Sequence, residues 1–323
     1  MQPIKIFNIP WHVAHQYELY KMPNTEWYHL LNPIRKWSSG GKEFRPKPAN
    51  VFEVPYYEPG KYDLALLHID QQCVDETLGK SRLYRELNEQ IKDIPKIVIN
   101  HGTPFWPECY TNEYIIMRMK QLLGTNHIVV NSHRAAEMWG PLGQSMTTII
   151  HGLDPDEWFD LPKEPRVITT LSPAGLDRYY NRRLLTEVKD HLKQRGIPHA
   201  WVTVDWKAND FTDYRNFIGR SLVYFNPTLE SPMPRSSTEA MFSGACVLTL
   251  PNHDAENFIQ SGVNGIHVPN NPVVIADLIE ELMKNYKKCV EIGQAGKKTA
   301  TEIFHKDRFQ KDWLDLIHKV LNK

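Results

Sequence analysis

The sequence predicts an α/β protein made of two Rossmann-like, doubly wound parallel sheets in tandem. Strand-like apolar runs alternate with helical patterns along the chain, the pattern of parallel strands with helices on both faces. A Pro-rich stretch, Leu161-Pro162-Lys163-Glu164-Pro165, interrupts the series, and a second series follows it. With 323 residues the chain can build two separate cores.

The elements follow in order. Ile4–Ile9 reads as a buried first strand, broken by Pro10-Trp11-His12, and His15–Tyr20 opens a helix. Residues 32–50, rich in Pro, Gly, Ser, Lys and Arg, read as a mobile loop. Strands are expected at Val51–Pro55, Tyr62–Ile69, Lys96–Asn100, His127–Val130 and Thr147–Ile150, with helices at Asp75–Ile91, Asn112–Leu123 and His133–Trp139. The second series has strands at Arg166–Leu171, Ala200–Trp206, Ser221–Asn226, Ala245–Leu250 and Gly265–Val268. Its helices are Arg183–Gln194, Ser236–Phe242, Asp254–Gln260, Pro272–Lys284 and Cys289–Thr301. In Arg308–Leu321 the residues Phe309, Trp313, Leu316, Ile317 and Val320 form one apolar stripe, which has to pack on something. No internal sequence repeat is visible.

Composition narrows the function classes. Lys plus Arg and Asp plus Glu both count 38, so the formal charge is zero and there is no footprint of a general nucleic-acid binder. The hydrophobic fraction is 41%, near the low edge of the globular range. The cysteines Cys73, Cys109, Cys246 and Cys289 stand far apart without a CxxC pair, which points to reduced thiols in a cytoplasmic protein and away from structural zinc. The start, MQPIKIFNIP, lacks a signal-peptide hydrophobic region, and no apolar run reaches membrane-span length.

In paired α/β sheets, ligands bind beyond the carboxyl ends of the strands. Residues just after strands are therefore the candidates: His101 and Gly102, Ser172 to Arg178, Glu230, and His253, Asp254 and Glu256. No GxGxxG or Walker A motif supports a dinucleotide or a P-loop. The segment Asn226–Leu250 carries the most information. Glu230 and Glu239 bracket a loop and the start of a helix, whose N-terminal amides suit a phosphate while the acid suits sugar hydroxyls.

Four segments in order carry a family likeness. Glu239-Ala240-Met241-Phe242-Ser243-Gly244-Ala245-Cys246-Val247-Leu248 follows the pattern E-A-M-A-x-G-x-P-V-V. Glu256 precedes Gly262-Val263-Asn264-Gly265-Ile266-His267-Val268, matching G-x-N-G-x-x-V. Ile150 to Trp158 fits P-N-G-V-D-x-x-x-F, and Val130-Asn131-Ser132 fits V-x-x-S before a helix. From about Lys96 to its end, the chain resembles the retaining glycosyltransferases of GT-B fold, family 4-like (glycosyl transferases group 1). The resemblance implies two Rossmann-like domains facing across a cleft. Residues 1–162 would hold the acceptor and residues 163–305 the sugar nucleotide, with the helix 306–323 packing back on the first domain.

The resemblance also implies roles. Glu239 would bind the nucleotide ribose, and Glu230 the hydroxyls of the transferred sugar. Ser172, Arg235, Ser236, Ser237 and Asp254 would line the donor site, Asp254 through its backbone while its side chain caps the next helix. Arg178 and Arg183, with Arg182 behind them, would neutralise the leaving pyrophosphate. His101 would face the donor sugar. The departures from the family pattern are specific. Eight residues separate Glu230 from Glu239 instead of seven, which leaves Glu230 or Ser231 for the first acidic place. The loop Ser231-Pro232-Met233-Pro234-Arg235 has no glycine, the arginine–lysine pair for pyrophosphate has no clean match, and His12 and His15 stand where the family has a glycine pair. With His68 and Asp70 these histidines could line one pocket; their spacing matches no zinc signature. Among the early aromatics, Trp11 stands nearest the expected site.

The expected activity is retaining transfer of a sugar from a UDP- or GDP-sugar to an acceptor, by front-face displacement, with no cofactor and no bound metal. The alternatives are a sugar-nucleotide-binding protein, another GT-B enzyme such as an epimerase, and a transferase acting on DNA, the last on the basic stretch Arg35–Lys47.

Overall fold

A computed structural model describes residues 2–322, except 32–36, 40–41, 44, 172–176, 203–207, 232–233 and 253. The chain forms two compact units: Met1–Ser38 with Arg45–His151 and Asp307–Lys323, and Ser39–Phe44 with Gly152–Lys306.

The first unit contains β1 (Ile4–Asn8), α1 (Val13–Tyr20) and β2 (Thr25–Leu30). Next along the chain is a separate two-stranded sheet, β3 (Ser38–Ser39) and β4 (Lys42–Glu43), whose residues from Ser39 on belong to the second unit. Then follow β5 (Val51–Val54), β6 (Leu64–Ile69), α2 (Gly79–Gln90), β7 (Lys96–Asn100), α3 (Asn112–Leu123), β8 (His127–Val130), α4 (His133–Trp139) and β9 (Met146–Thr148). Its sheet runs β5-β2-β1-β6-β7-β8-β9, parallel at every pairing. After β1 the chain moves outward through β2 and β5, then returns to β6 on the other side of β1. The carboxyl ends of β1 and β6 are therefore the point where the winding reverses, the place such sheets use for ligands.

Local signals set the helices. Thr111 accepts the Tyr114 amide at the start of α3, and Ser132 accepts that of Ala135 at the start of α4. The strand β2 was not anticipated. Its alternation of buried Thr25, Trp27 and His29 with half-buried Glu26 and Tyr28 is a strand pattern written in aromatics. The expected mobile loop is anchored at its described residues. Trp37 is buried, donates its indole N–H to the Arg45 carbonyl at 2.8 Å and stacks on Tyr20. The Asn50 amide bonds the carbonyls of Tyr20 and Thr25.

The second unit contains β10 (Glu164–Thr169), α5 (Asp177–Tyr180), α6 (Arg182–Gln194), β11 (His199–Trp201), α7 (Phe211–Arg220), β12 (Ser221–Asn226) and α8 (Arg235–Phe242). It continues through β13 (Cys246–Thr249), α9 (Ala255–Phe258), β14 (Ile266–His267), α10 (Pro272–Lys284) and α11 (Tyr286–Ile303). The parallel sheet runs β11-β10-β12-β13-β14, so its winding reverses between β10 and β12. The sequence missed α7, which Asp210 caps through the Asp213 amide and which buries Phe211, Tyr214 and Ile218. In the last helix, α12 (Lys306–Val320), the stripe Phe309, Trp313, Leu316 and Ile317 is buried in one core cluster with Ile4, Ile6, Tyr17 and Trp27 of the first unit.

Residues 152–162 pack with the second unit, and the linker-like stretch beside them is a junction. Leu153 is buried and pairs with the backbone of Phe304 and Lys306, while Asp154 binds Lys306 at 2.8 Å. Lys163 donates to the carbonyls of Gly219 and Ser243 and pairs with Asp160. Two glycines let α11 close on the turn after α8. Gly244 has φ +68°, and a Cβ on Gly293 would stand 2.3 Å from the Gly244 carbonyl oxygen. The downstream Gly-x-Asn-Gly segment is also a turn device. Asn264 accepts the Gln260 amide and donates to the Phe258 carbonyl and Thr299.

Buried His29 shares a hydrogen bond with the Tyr20 hydroxyl through Nδ1, and burial lowers its pKa from 6.5 to about 4. The unfolded chain protonates this ring near 6.5 and the folded chain only near 4. Between the two the unfolded state holds more protons, so stability falls as pH falls through that window. Urea unfolding at about pH 7 and about pH 4.5 should show His29→Gln sparing roughly 2 kcal/mol of the acid loss seen in wild type. An identical loss in both proteins would remove His29 as the cause.

Candidate functional site

The reversal point of the second sheet is where the chain gathers its donor-site candidates. Buried Asn226 ends β12, and its side chain does two jobs. Its Oδ1 accepts the Thr228 amide at 3.1 Å, and its Nδ2 donates to Ser237 Oγ at 2.8 Å. The connection is therefore turned at its start and tied to α8 at its end. Tyr179 holds the middle, accepting the amides of Leu229 and Glu230 on its carbonyl, and Asn252 accepts the amide of Ser231. The backbones of Glu230 and Ser231 are thus both fixed, and Glu230 itself is half-buried.

Pro234 occupies the N-cap of α8 and offers no side-chain acceptor, so the first-turn amides are not capped from that position. Arg235 donates to the Gly152 carbonyl at 3.4 Å. Ser236 is half-buried and hydrogen-bonds Tyr224, whose hydroxyl burial pushes up to about 12 and which also meets Thr170. Ser237 is buried on Asn226. Glu239, in the second turn, is only 2% exposed, and its Oε2 accepts the Tyr214 hydroxyl at 2.9 Å. A buried carboxylate needs such a donor. Asp254 is wholly buried after β13 and sits at the cap of α9, but its side chain makes no capping hydrogen bond there, contrary to expectation.

One arginine parts company with this group. Arg183 is 84% exposed on α6 and pairs with Glu187 one turn on, at 2.9 Å. That is the geometry of a solvated helix face. Arg178 lies on α5, and its side chain, like Ser172 and His253, is outside the described residues. Tyr214 was missed because α7 was missed. Its signal was Asp210 as a cap ahead of the stripe Phe211, Tyr214 and Ile218.

The first unit carries a polar chain at its own reversal point. Gln16 sets its direction, since its Oε1 accepts the Trp11 amide and its Nε2 donates to the Ile9 carbonyl. The same Nε2 donates to Asn8 Oδ1 at 2.7 Å, which makes Oδ1 an acceptor. His68 Nε2, 3.2 Å from that oxygen, must then carry the proton. With its ring neutral, His68 accepts on Nδ1 from His101 Nε2 at 2.8 Å, which leaves His101 Nδ1 to accept from Asn131 Nδ2 at 3.3 Å. The rings of His68 and His101 stack at 5.1 Å, with Trp11 stacked on His101 at 5.8 Å and His15 edge-on to it at 5.3 Å. Lys80 stands over Trp11 and pairs with Asp70. His12 is exposed, and its carbonyl accepts the amides of His15 and Gln16. Among the described residues no set of three or more His, Cys, Asp or Glu forms a metal-binding group, no helix is long and apolar enough to cross a membrane, and all four cysteines are free.

Residues 184–299 match the family model "Glycosyl transferases group 1". The match lies within the second unit of what is a GT-B fold. The matched segment includes Glu230, α8 and Asp254. No curated protein sequence matches the chain. Similar solved structures cover nearly its whole length. HepE from Anabaena in complex with UDP and glucose superposes with TM-score 0.69 at 12% identity, covering 98% of this chain and all of that one. Sucrose-phosphate synthase from Thermosynechococcus elongatus gives TM-score 0.70 at 10% identity, covering 99% of both chains. A glycosyltransferase from Rickettsia africae gives 0.67 at 12%, again covering 99% of both.

The histidine chain makes a spectroscopic prediction. In protein labelled with 15N-histidine, His68 and His101 should both show the Nε2–H tautomer in their neutral state. His68→Gln should change the His101 signals. A Nδ1–H tautomer at His68 would contradict the chain of donors.

Proposed function

We propose that this glycosyltransferase is a cytoplasmic, retaining enzyme that moves a sugar from a nucleotide-sugar donor, a UDP-sugar in the first instance, to a separate acceptor without a bound metal. The observation that carries the proposal is Glu239. It is an acid buried in the second turn of α8 within the group 1 domain, beside an N-terminus with no side-chain cap from Pro234. In this reading the ribose hydroxyls donate to Glu239, and the diphosphate meets the first-turn amides of α8 with Arg235 and Ser236. Glu230 is the proposed partner of the sugar hydroxyls. Arg178 is preferred to Arg183 for the leaving pyrophosphate, since Arg183 is exposed and paired with Glu187. The choice of UDP draws support from HepE, whose structures hold UDP and UDP-glucose.

The proposed step breaks the bond from the sugar's anomeric carbon to the diphosphate oxygen and forms one to the acceptor oxygen on the same face. The electron pair leaves with the diphosphate, which takes the acceptor's proton. Charge grows on the leaving group, so fixed amides and cations beside it lower the barrier. The first unit is proposed to hold the acceptor, with His101 as its contribution to the reaction.

A screen of UDP- and GDP-sugars, read by release of free nucleotide, tests this. One donor should turn over, and Glu239→Ala should lower kcat/KM at least about a hundredfold, as loss of a hydrogen-bonded, charged anchor implies. Binding without nucleotide release would favour the sugar-nucleotide-binding reading. Full activity in Glu239→Ala would remove Glu239 from the site.

A further inference from the structure

We infer that Tyr214 is a positioning residue that orients Glu239 and thereby makes the donor site selective for ribose hydroxyls; this rests on the donor-site reading above. Glu239 and Tyr214 are 2% and 5% exposed, and the phenol donates to Glu239 Oε2 at 2.9 Å from a neighbouring helix. The two residues stand 25 apart in sequence, so the contact is a product of packing and not of one helical face. A carboxylate offers about four lone-pair sites, so one donation fixes its plane without exhausting it.

Tyr214 is itself held firmly. Its ring lies at 6.5 Å from those of Trp158 and Phe211, edge-on to the first and near-parallel to the second. Arg215, the next residue, spreads over Phe159 and Phe211 and donates to the Glu157 carbonyl at 2.9 Å. At the start of α7, Asp210 caps the Asp213 amide, and Asp213 in turn binds Asn209 twice. The segment 157–159 and α7 therefore form one clamp, and the phenolic hydroxyl is its polar tip. A fixed donor of this kind reduces the rotamer freedom that Glu239 would otherwise lose on binding a ligand.

A carboxylate held in one plane rewards a ligand whose hydroxyls meet it and gains nothing from one that lacks them. Loss of the orienting phenol should therefore weaken ribose-bearing ligands alone. A structural role for Tyr214 would weaken all nucleotides together. Calorimetry on the full chain with UDP and with 2′,3′-dideoxy-UDP separates the two. Wild type should prefer UDP. Tyr214→Phe should bind UDP up to about tenfold more weakly, the cost of immobilising the Glu239 side chain on binding, and dideoxy-UDP within about twofold of wild type. Unchanged dideoxy-UDP binding also certifies that the variant is folded. Equal losses for both ligands, or no loss for UDP, would overturn the role of Tyr214. Glu239→Gln serves as the reference. If wild type binds no UDP, or Glu239→Gln keeps the wild-type preference, the donor-site reading falls and the inference falls with it.

Discussion

A charged group taken out of water has to be held, and the second unit is arranged around holding one. Glu239 sits in the second turn of α8, almost wholly buried, with the Tyr214 phenol on one of its oxygens. Leaving such a carboxylate without a donor would cost several kcal/mol. The fold therefore commits α7, the 157–159 segment and the start of α8 to one rigid assembly. Under the proposed donor reading, that rigidity is what recognition of hydroxyl groups requires.

Asparagines at strand ends recur as the device that turns the chain into its functional loops. Asn226 caps the turn after β12 and ties it to Ser237, Asn252 catches the Ser231 amide, and Asn264 knits the turn before β14. In the first unit Asn8 ends β1 and receives both Gln16 and His68, while Asn100 ends β7 and accepts the Gly102 amide. An amide side chain both donates and accepts, so it can replace the ladder bonds that a strand loses where it stops. At both reversal points the polar side chains that could meet a ligand are first used to hold each other.

The sequence made much of the fold legible, and the reasons are visible in particular elements. The ranges of β7, β8, β12, α3, α4 and α10 agree with those expected, because apolar runs and side-chain caps such as Thr111, Ser132 and Asn271 mark their ends. The strand β2 was hidden because its buried face is Thr25, Trp27 and His29, aromatic and polar where an aliphatic run would have been recognised. The helix α7 was hidden by the polar residues Asn209, Asp210, Thr212 and Asp213 at its start. Within the candidate site, the motif around Glu239 singled it out, and the fold buries it. Tyr214 was not, since a contact across 25 residues leaves no local pattern. Arg183 illustrates the opposite case. Its position one residue into α6 suggested an anion partner, while the helix supplied Glu187 one turn away.

The account turns on where a nucleotide sits. A crystal structure of the chain with bound UDP tests that most directly. The account predicts the ribose hydroxyls within about 3.2 Å of the Glu239 carboxylate, with Tyr214 still on Oε2 and the diphosphate at the first-turn amides of α8. A nucleotide bound away from α8, or a ribose that leaves Glu239 untouched, would contradict it.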